Sequence, residues 1–334
     1  MKSTRKVVMF LFALFVYSCT STKEPKNAVD ISSQPKVDIS IQRYEKDLFS
    51  VNKNNLKNEL LRLQKKYRFF LDGDLAEDKN VKQIQRYIED DLIVGIYKET
   101  AKQYPSLKAI EDQISDAFTY MKYYYPNQKI PVVYTYVSGL DYEFPVKFAD
   151  SVLIIALDMY LGKDCKFYQQ LGVPLYMSLN WTRDHIVFDC MKEIAFTKIK
   201  ADPSNKSFIN ELISQGKILY FIDAMTPNLA DNLKIGYPQD KLDWCKKNEA
   251  NIWSFILENK LLYSTDQQHI SKFFTDGPFT SSFSKQSPGK MGYWVGWQII
   301  KSYMKKNPDV HLARLMEDTN AQEILTKSKY KPQK

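Results

Sequence analysis

His185, Asp189 and Glu193 are the residues whose types and spacing could do metal chemistry. Side chains four apart share one face of a helix. In the zinc-hydrolase pattern H-E-x-x-H, two histidines so placed hold the metal and the glutamate activates its bound water. Here the run reads Arg183-Asp184-His185-Ile186-Val187-Phe188-Asp189, which puts Ile186 where the general base is required. An isoleucine cannot take a proton from water, so hydrolysis would lack its base even with a metal weakly bound. The chain has 3 histidines, and His269 and His311 lie in polar segments with no second ligand at helical spacing. The plainer expectation is a local ion pair or hydrogen bond between His185 and Asp189. No catalytic residue, metal or cofactor is expected, and a metal-binding site on the helix around His185 stands as the alternative.

Three further features carry candidate binding groups. Asp158 ends the apolar run Val152–Leu157, where a carboxylate could bind something or cap a helix beginning at Met159. Trp294 and Trp297 sit among Gly289, Gly292 and Gly296, but the spacing does not fit G-x-x-x-x-G-K-[ST]. Close helix packing, with the tryptophans filling core or groove, accounts for them better than a ligand does. No G-x-S-x-G elbow for serine chemistry is present.

The first 35 residues concern location. Lys2, Arg5 and Lys6 precede an unbroken apolar run, Val7 to Val16. Such a run rises about 15 Å as a helix, half of a hydrocarbon core of about 30 Å, so it reads as the core of a signal peptide. Cys19 directly follows Ser18 in a bacterial lipobox-like arrangement, with Tyr17 a departure from the small residue usual there. The expected boundaries are a lipoprotein signal peptide at 1–18, a lipidated Cys19 and flexible tether at 19–35, and one globular domain at 36–334. Acyl chains on the sulfur and amino group of Cys19 would hold the chain to a membrane without spanning it. The formal net charge is +8, and removing residues 1–18 with their three basic side chains leaves +5. No Lys/Arg block concentrates that surplus, which argues against nucleic acid as a partner. Beyond Cys19 lie Cys165, Cys190 and Cys245; one disulfide among them is open, and buried thiols are the simpler expectation.

The elements that must position these residues are mainly helical. Alternation at Val37, Ile39 and Ile41 predicts a strand, and helical spacing follows over 54–67, 79–103 and from Ser106 to Pro126. Val132–Val137, Tyr142–Phe148 and Val152–Leu157 read as three strands of an antiparallel meander, the last apolar on both faces and therefore interior. Helices are expected from Thr182 to Ile199, Ser207 to Met225, Asp240 to Tyr263, 266–274, from Pro288 onward, and 310–326. The fold class is α+β, one mostly helical domain around a small, about four-stranded, largely antiparallel sheet.

The motifs Ile155–Asp164 (IALDMYLGKD) and Ser287–Ile299 (SPGKMGYWVGWQI) resemble the GldB-type gliding-motility lipoproteins of Bacteroidetes. Lys234–Tyr237 (KIGY), Asn259–Asp266 (NKLLYSTD) and the ending Lys327–Pro332 (KSKYKP) fit as well, so the likeness runs from residue 36 to residue 332. The resemblance implies a membrane-tethered component of the gliding machinery in the cell envelope, with other gliding or secretion proteins as partners. It brings no catalytic residue. A tether that begins at Thr20 without an aspartate or a strong acidic tag points to a periplasm-facing position. A more distant likeness, in the order of small sheet, buried strand, helix and late glycine-rich helix, is to zincin-like metallopeptidases, with the H-E-x-x-H helix degenerate here.

Overall fold

The computed structural model describes residues 29–149, 151–200, 202 and 205–333; Cys19, the leader, most of the tether and Asp150 lie outside the described residues. In chain order the elements are β1 (Ile41–Arg43), α1 (Tyr44–Phe49), α2 (Leu56–Gln64), α3 (Asp78–Glu89), α4 (Asp91–Gln103), α5 (Lys108–Tyr124), β2 (Val132–Tyr136), β3 (Val146–Ala149) and β4 (Val152–Ala156). Then follow α6 (Lys166–Gln170), α7 (Leu175–Ser178), α8 (Ile186–Lys198), α9 (Phe208–Met225), α10 (Asp231–Ile235), α11 (Gln239–Glu258), α12 (Gln267–Phe274), α13 (Met291–Lys306), α14 (Leu312–Glu317) and α15 (Ala321–Ser328). The fold is α+β, helices around one small sheet. No helix among the described residues is long and apolar enough to cross a membrane.

The sheet corrects the expected meander. Its order is β1-β2-β4-β3, and both β1–β2 and β2–β4 pair in parallel; only β3–β4 is antiparallel. The cause is the connection after β2. Residues 142–145 form loop rather than strand, so the chain crosses over before β3 begins at Val146. β4 then inserts between β2 and β3, running in the direction of β2. As its two apolar faces predict, β4 is interior, with Leu153, Ile155 and Ala156 fully buried.

The expected strand at residues 36–43 pairs only over Ile41–Arg43. Before that, the extended backbone runs along α5 and donates alternate N–H groups to its side chains: Val37 to Thr119 Oγ1 (3.0 Å), Ile39 to Ser115 Oγ (3.0 Å) and Ile41 to Glu111 Oε1 (2.9 Å). Two extended residues advance about 6.6 Å and four helical residues about 6 Å, so the two repeats match. The helix expected over 79–103 is broken by Asp90, whose backbone is extended and whose Oδ1 accepts from Ile93 N at 3.0 Å, capping α4. Asn320 divides the expected 310–326 helix in the same way, accepting from Glu323 N at 3.0 Å.

One continuous core joins the sheet to α5, α8, α9 and α13, and a smaller one lies under α1–α3 around Leu60, Tyr67 and Ile88. At the centre of the larger core α9 and α13 cross backbone to backbone. A Cβ on Gly216 would stand 2.3 Å from the Gly296 carbonyl oxygen, and a Cβ on Gly296 would stand 1.9 Å from that of Leu212. Neither helix can move aside without opening the core, because Leu212, Ile213, Ile299 and Ile300 are buried around the crossing. Gly296→Ala should therefore lower stability by about 3 kcal/mol. Chemical denaturation checks this, and a change below 1 kcal/mol would contradict the crossing geometry.

Candidate functional site

β4 ends in a single 3-10 turn, Leu157–Tyr160, in which every residue is buried. Asp158 points back across the sheet end. Its Oδ1 accepts from Ser138 N at 2.9 Å, and its Oδ2 accepts from Ser138 Oγ at 2.9 Å and Leu140 N at 2.8 Å. Asp158 therefore caps the loop after β2, not a helix beginning at Met159. That loop needs holding, because Gly139 and Leu140 both have left-handed φ, +76° and +70°. The conformation costs a non-glycine residue about 1–2 kcal/mol. Burial pushes the Asp158 carboxyl above its ordinary range against the hydrogen bonds from Ser138 and Leu140. The carbonyl of Asp158 accepts from Tyr168 OH at 2.6 Å, and Tyr168 OH accepts from Leu161 N at 3.0 Å.

Two residues on, Tyr160 OH donates to Asp189 Oδ2 at 2.8 Å, tying the turn to α8. The Tyr160 carbonyl accepts from Tyr104 OH (2.5 Å) and Gln103 Nε2 (3.1 Å) of the α4 end. Burial, with Asp189 adjacent, raises the Tyr160 phenol far above its ordinary range, so it serves as a hydrogen-bond donor and not as an acid. His185 and Asp189 do not form the expected pair. The His185 Nδ1 lies 2.9 Å from Thr182 Oγ1, in the 3-10 turn that precedes α8. Burial lowers the imidazole below its ordinary range, with Asp189 and Asp184 opposing. Glu193 is half-buried and its carboxyl is raised, again chiefly by burial. No group of three His, Cys, Asp or Glu residues among the described residues could hold a metal ion.

Trp294 and Trp297 lie in the core on α13, not in a groove, their rings 6.3 Å apart and edge-on. Both indole N–H groups are buried without an acceptor. The Lys301 ammonium stands 3.4 Å from the centroid of the Trp297 ring, a cation–π contact. Cys165, Cys190 and Cys245 are free, buried thiols, and burial raises Cys245 to about 12.

Buried charge elsewhere escaped the sequence reading. Glu45, 1% exposed, accepts from Thr135 Oγ1 at 2.8 Å and from Arg43 Nε at 2.8 Å under the sheet. Lys234 is fully buried, its ammonium bound to Asp223 and 3.8 Å from Asp231. Lys217, within the apolar stretch of α9, donates to the Asp318 carbonyl at the wall of a polar cleft of about 350 Å³ lined also by Asn210, Glu211 and Ser214. The available signal was Lys217 standing at the end of the polar stripe Asn210, Glu211 and Ser214, next to the apolar run Ile218–Ile222.

Two outcomes follow from these environments. Asp158→Ala leaves one buried and two part-buried donors without their acceptor and should cost about 3 kcal/mol, measured by urea unfolding, with Asp158→Asn losing less. Burial lowers Lys217 from 10.5 to about 8. Above pH 8 the folded state has released this proton while the unfolded chain still holds it, so stability rises with pH from about 8 towards 10.5. Lys217→Met should flatten that rise; an unchanged pH profile would contradict the assignment.

A family model described as gliding motility protein GldB matches residues 24–332. No curated protein and no solved structure matches the chain. With the match spanning nearly its whole length, including both motif-bearing segments at the sheet end and on α13, this chain belongs to the GldB gliding-motility lipoprotein family.

Proposed function

We propose that the chain is a non-catalytic scaffold of the gliding machinery, fastened to the cell envelope through acyl chains on Cys19 and presenting its helical body to other gliding or secretion proteins on the periplasmic side. What supports a non-catalytic role is the use made of the candidate polar groups. Asp158 accepts from Ser138 and Leu140, Asp189 accepts from Tyr160, and His185 lies against Thr182, so the polar atoms of all three are engaged within the fold. In this reading Trp294 and Trp297 are core. Such an anchor would hold to a membrane a body none of whose described helices is long and apolar enough to cross one. Two or three acyl chains hold firmly where one holds marginally.

Cell fractionation tests the anchor: Cys19→Ala should move the protein from the membrane pellet to the soluble fraction, and retention in the pellet would refute lipidation at that residue. Chemical cross-linking in living cells tests the scaffold role. Adducts containing other envelope proteins are expected, and recovery of the uncombined chain alone would overturn it.

A further inference from the structure

The C-terminal end of the fold carries charge that the structure leaves uncompensated. A cleft of about 330 Å³ lies between the second half of α13, Glu249 of α11 and the segment after α15. Lys301, Lys305, Lys306, Lys329 and Lys331 line it with one acid, Glu249, so five positive charges less one negative leave a formal +4. Part of that charge is already used. The Lys306 amine donates to the carbonyls of Ser328 (2.8 Å) and Lys329 (3.1 Å), and Lys301 lies 3.7 Å from Asp231. Glu249 accepts from Tyr330 OH at 2.7 Å. Lys305, Lys329 and Lys331 are exposed and have no ion-pair partner among the described residues.

The rim that carries these ammonium groups is anchored. Ser302 Oγ donates to the Ser328 carbonyl at 2.8 Å, and the Tyr330 ring packs edge-on against Trp253 at 5.1 Å. Lys329 turns the chain with a left-handed φ of +47°, a position usually given to glycine at a helix C-terminus. Like charges held together on a fixed frame repel one another unless an anion joins them. A second observation points the same way. Gln298 also lines the cleft, and its side-chain Nε2 is buried with no acceptor. A buried amide donor gains most from a ligand oxygen, and a lysine ammonium is a compact point charge suited to phosphate.

We propose that this cleft binds a phosphate-bearing anion, with Lys305, Lys329 and Lys331 supplying charge and Gln298 a directed donor. A phosphate takes up more of the unpaired charge of Lys305, Lys329 and Lys331 than a carboxylate and offers oxygens in several directions. The volume is at the small end of ligand sites, the size of a lipid headgroup or a small phosphate ester.

The test uses the full chain in neutral detergent at low ionic strength, titrated with inorganic phosphate and separately with glycerophosphoglycerol, the water-soluble headgroup of an anionic lipid. Tryptophan emission reports binding, since Trp253 lies behind Tyr330 and Trp297 beneath Lys301. Saturable binding is expected, at least tenfold weaker in the exposed-site double variant Lys305→Gln/Lys331→Gln and several-fold weaker in Gln298→Leu, with thermal unfolding of the double variant unchanged. Tighter binding of glycerophosphoglycerol assigns the site to a lipid headgroup, and tighter binding of inorganic phosphate assigns it to a free phosphate compound. No saturable signal with either probe, or wild-type affinity in the double variant, overturns the proposal.

Discussion

The contact between α9 and α13 is the constraint from which the remaining architecture follows. Two apolar helices meet at Gly216 and Gly296 with no side chain between their backbones. That closeness lets the residues flanking the glycines interdigitate, and it fixes the positions of Trp294 and Trp297 on one helix and Lys217 on the other. α8 packs on α9, α15 on α13, and the sheet on α8, so the positions of the later helices and of the sheet are referred back to a single pair. A methyl group at either glycine would push against a carbonyl oxygen, which cannot rotate away as a side chain can.

Around this crossing the molecule spends its polar chemistry on itself. Asp158 ties the end of β4 to the loop after β2, Glu45 joins Arg43 to Thr135, Tyr160 links the sheet end to α8, and Lys234 is enclosed by Asp223 and Asp231. The first three join elements far apart in the chain, while Lys234 ties α10 to the preceding helix α9. Removing one partner of such a buried group strands the other, so these contacts penalise alternative arrangements more than they add net stability. Together they favour a single arrangement of the elements over its competitors.

Much of this was readable beforehand, and what was not has identifiable causes. The apolar sides of α5 and α13 and the interior position of β4 follow from apolar spacing, which reports burial directly. The expected His185–Asp189 pair failed because Tyr160, remote in sequence, competes for Asp189, and Thr182 lies closer to the imidazole. Asp158 was expected to serve a helix at Met159 and instead serves a loop some twenty residues earlier, a contact invisible to local pattern. The antiparallel meander failed because spacing between strands does not encode order: a crossover after Tyr136 and a tight hairpin use similar residues. Lys217 and Lys234 were hidden because a lysine reads as solvated until its surroundings are known. The Asp90 break in the long helical stripe was missed because both sides keep the same apolar period.

The attachment of Val37–Ile41 to α5 determines how a pull on the preceding residues reaches the rest of the fold. Three hydrogen bonds in matched register, at Thr119, Ser115 and Glu111, lie between any pull on the preceding residues and the parallel pairing of β1 with β2. Tension directed along the segment loads these bonds simultaneously, in shear, whereas tension directed across it peels them one after another. The same strap is thus strong in one direction and weak in the other, and the angle of traction sets how much force reaches the sheet.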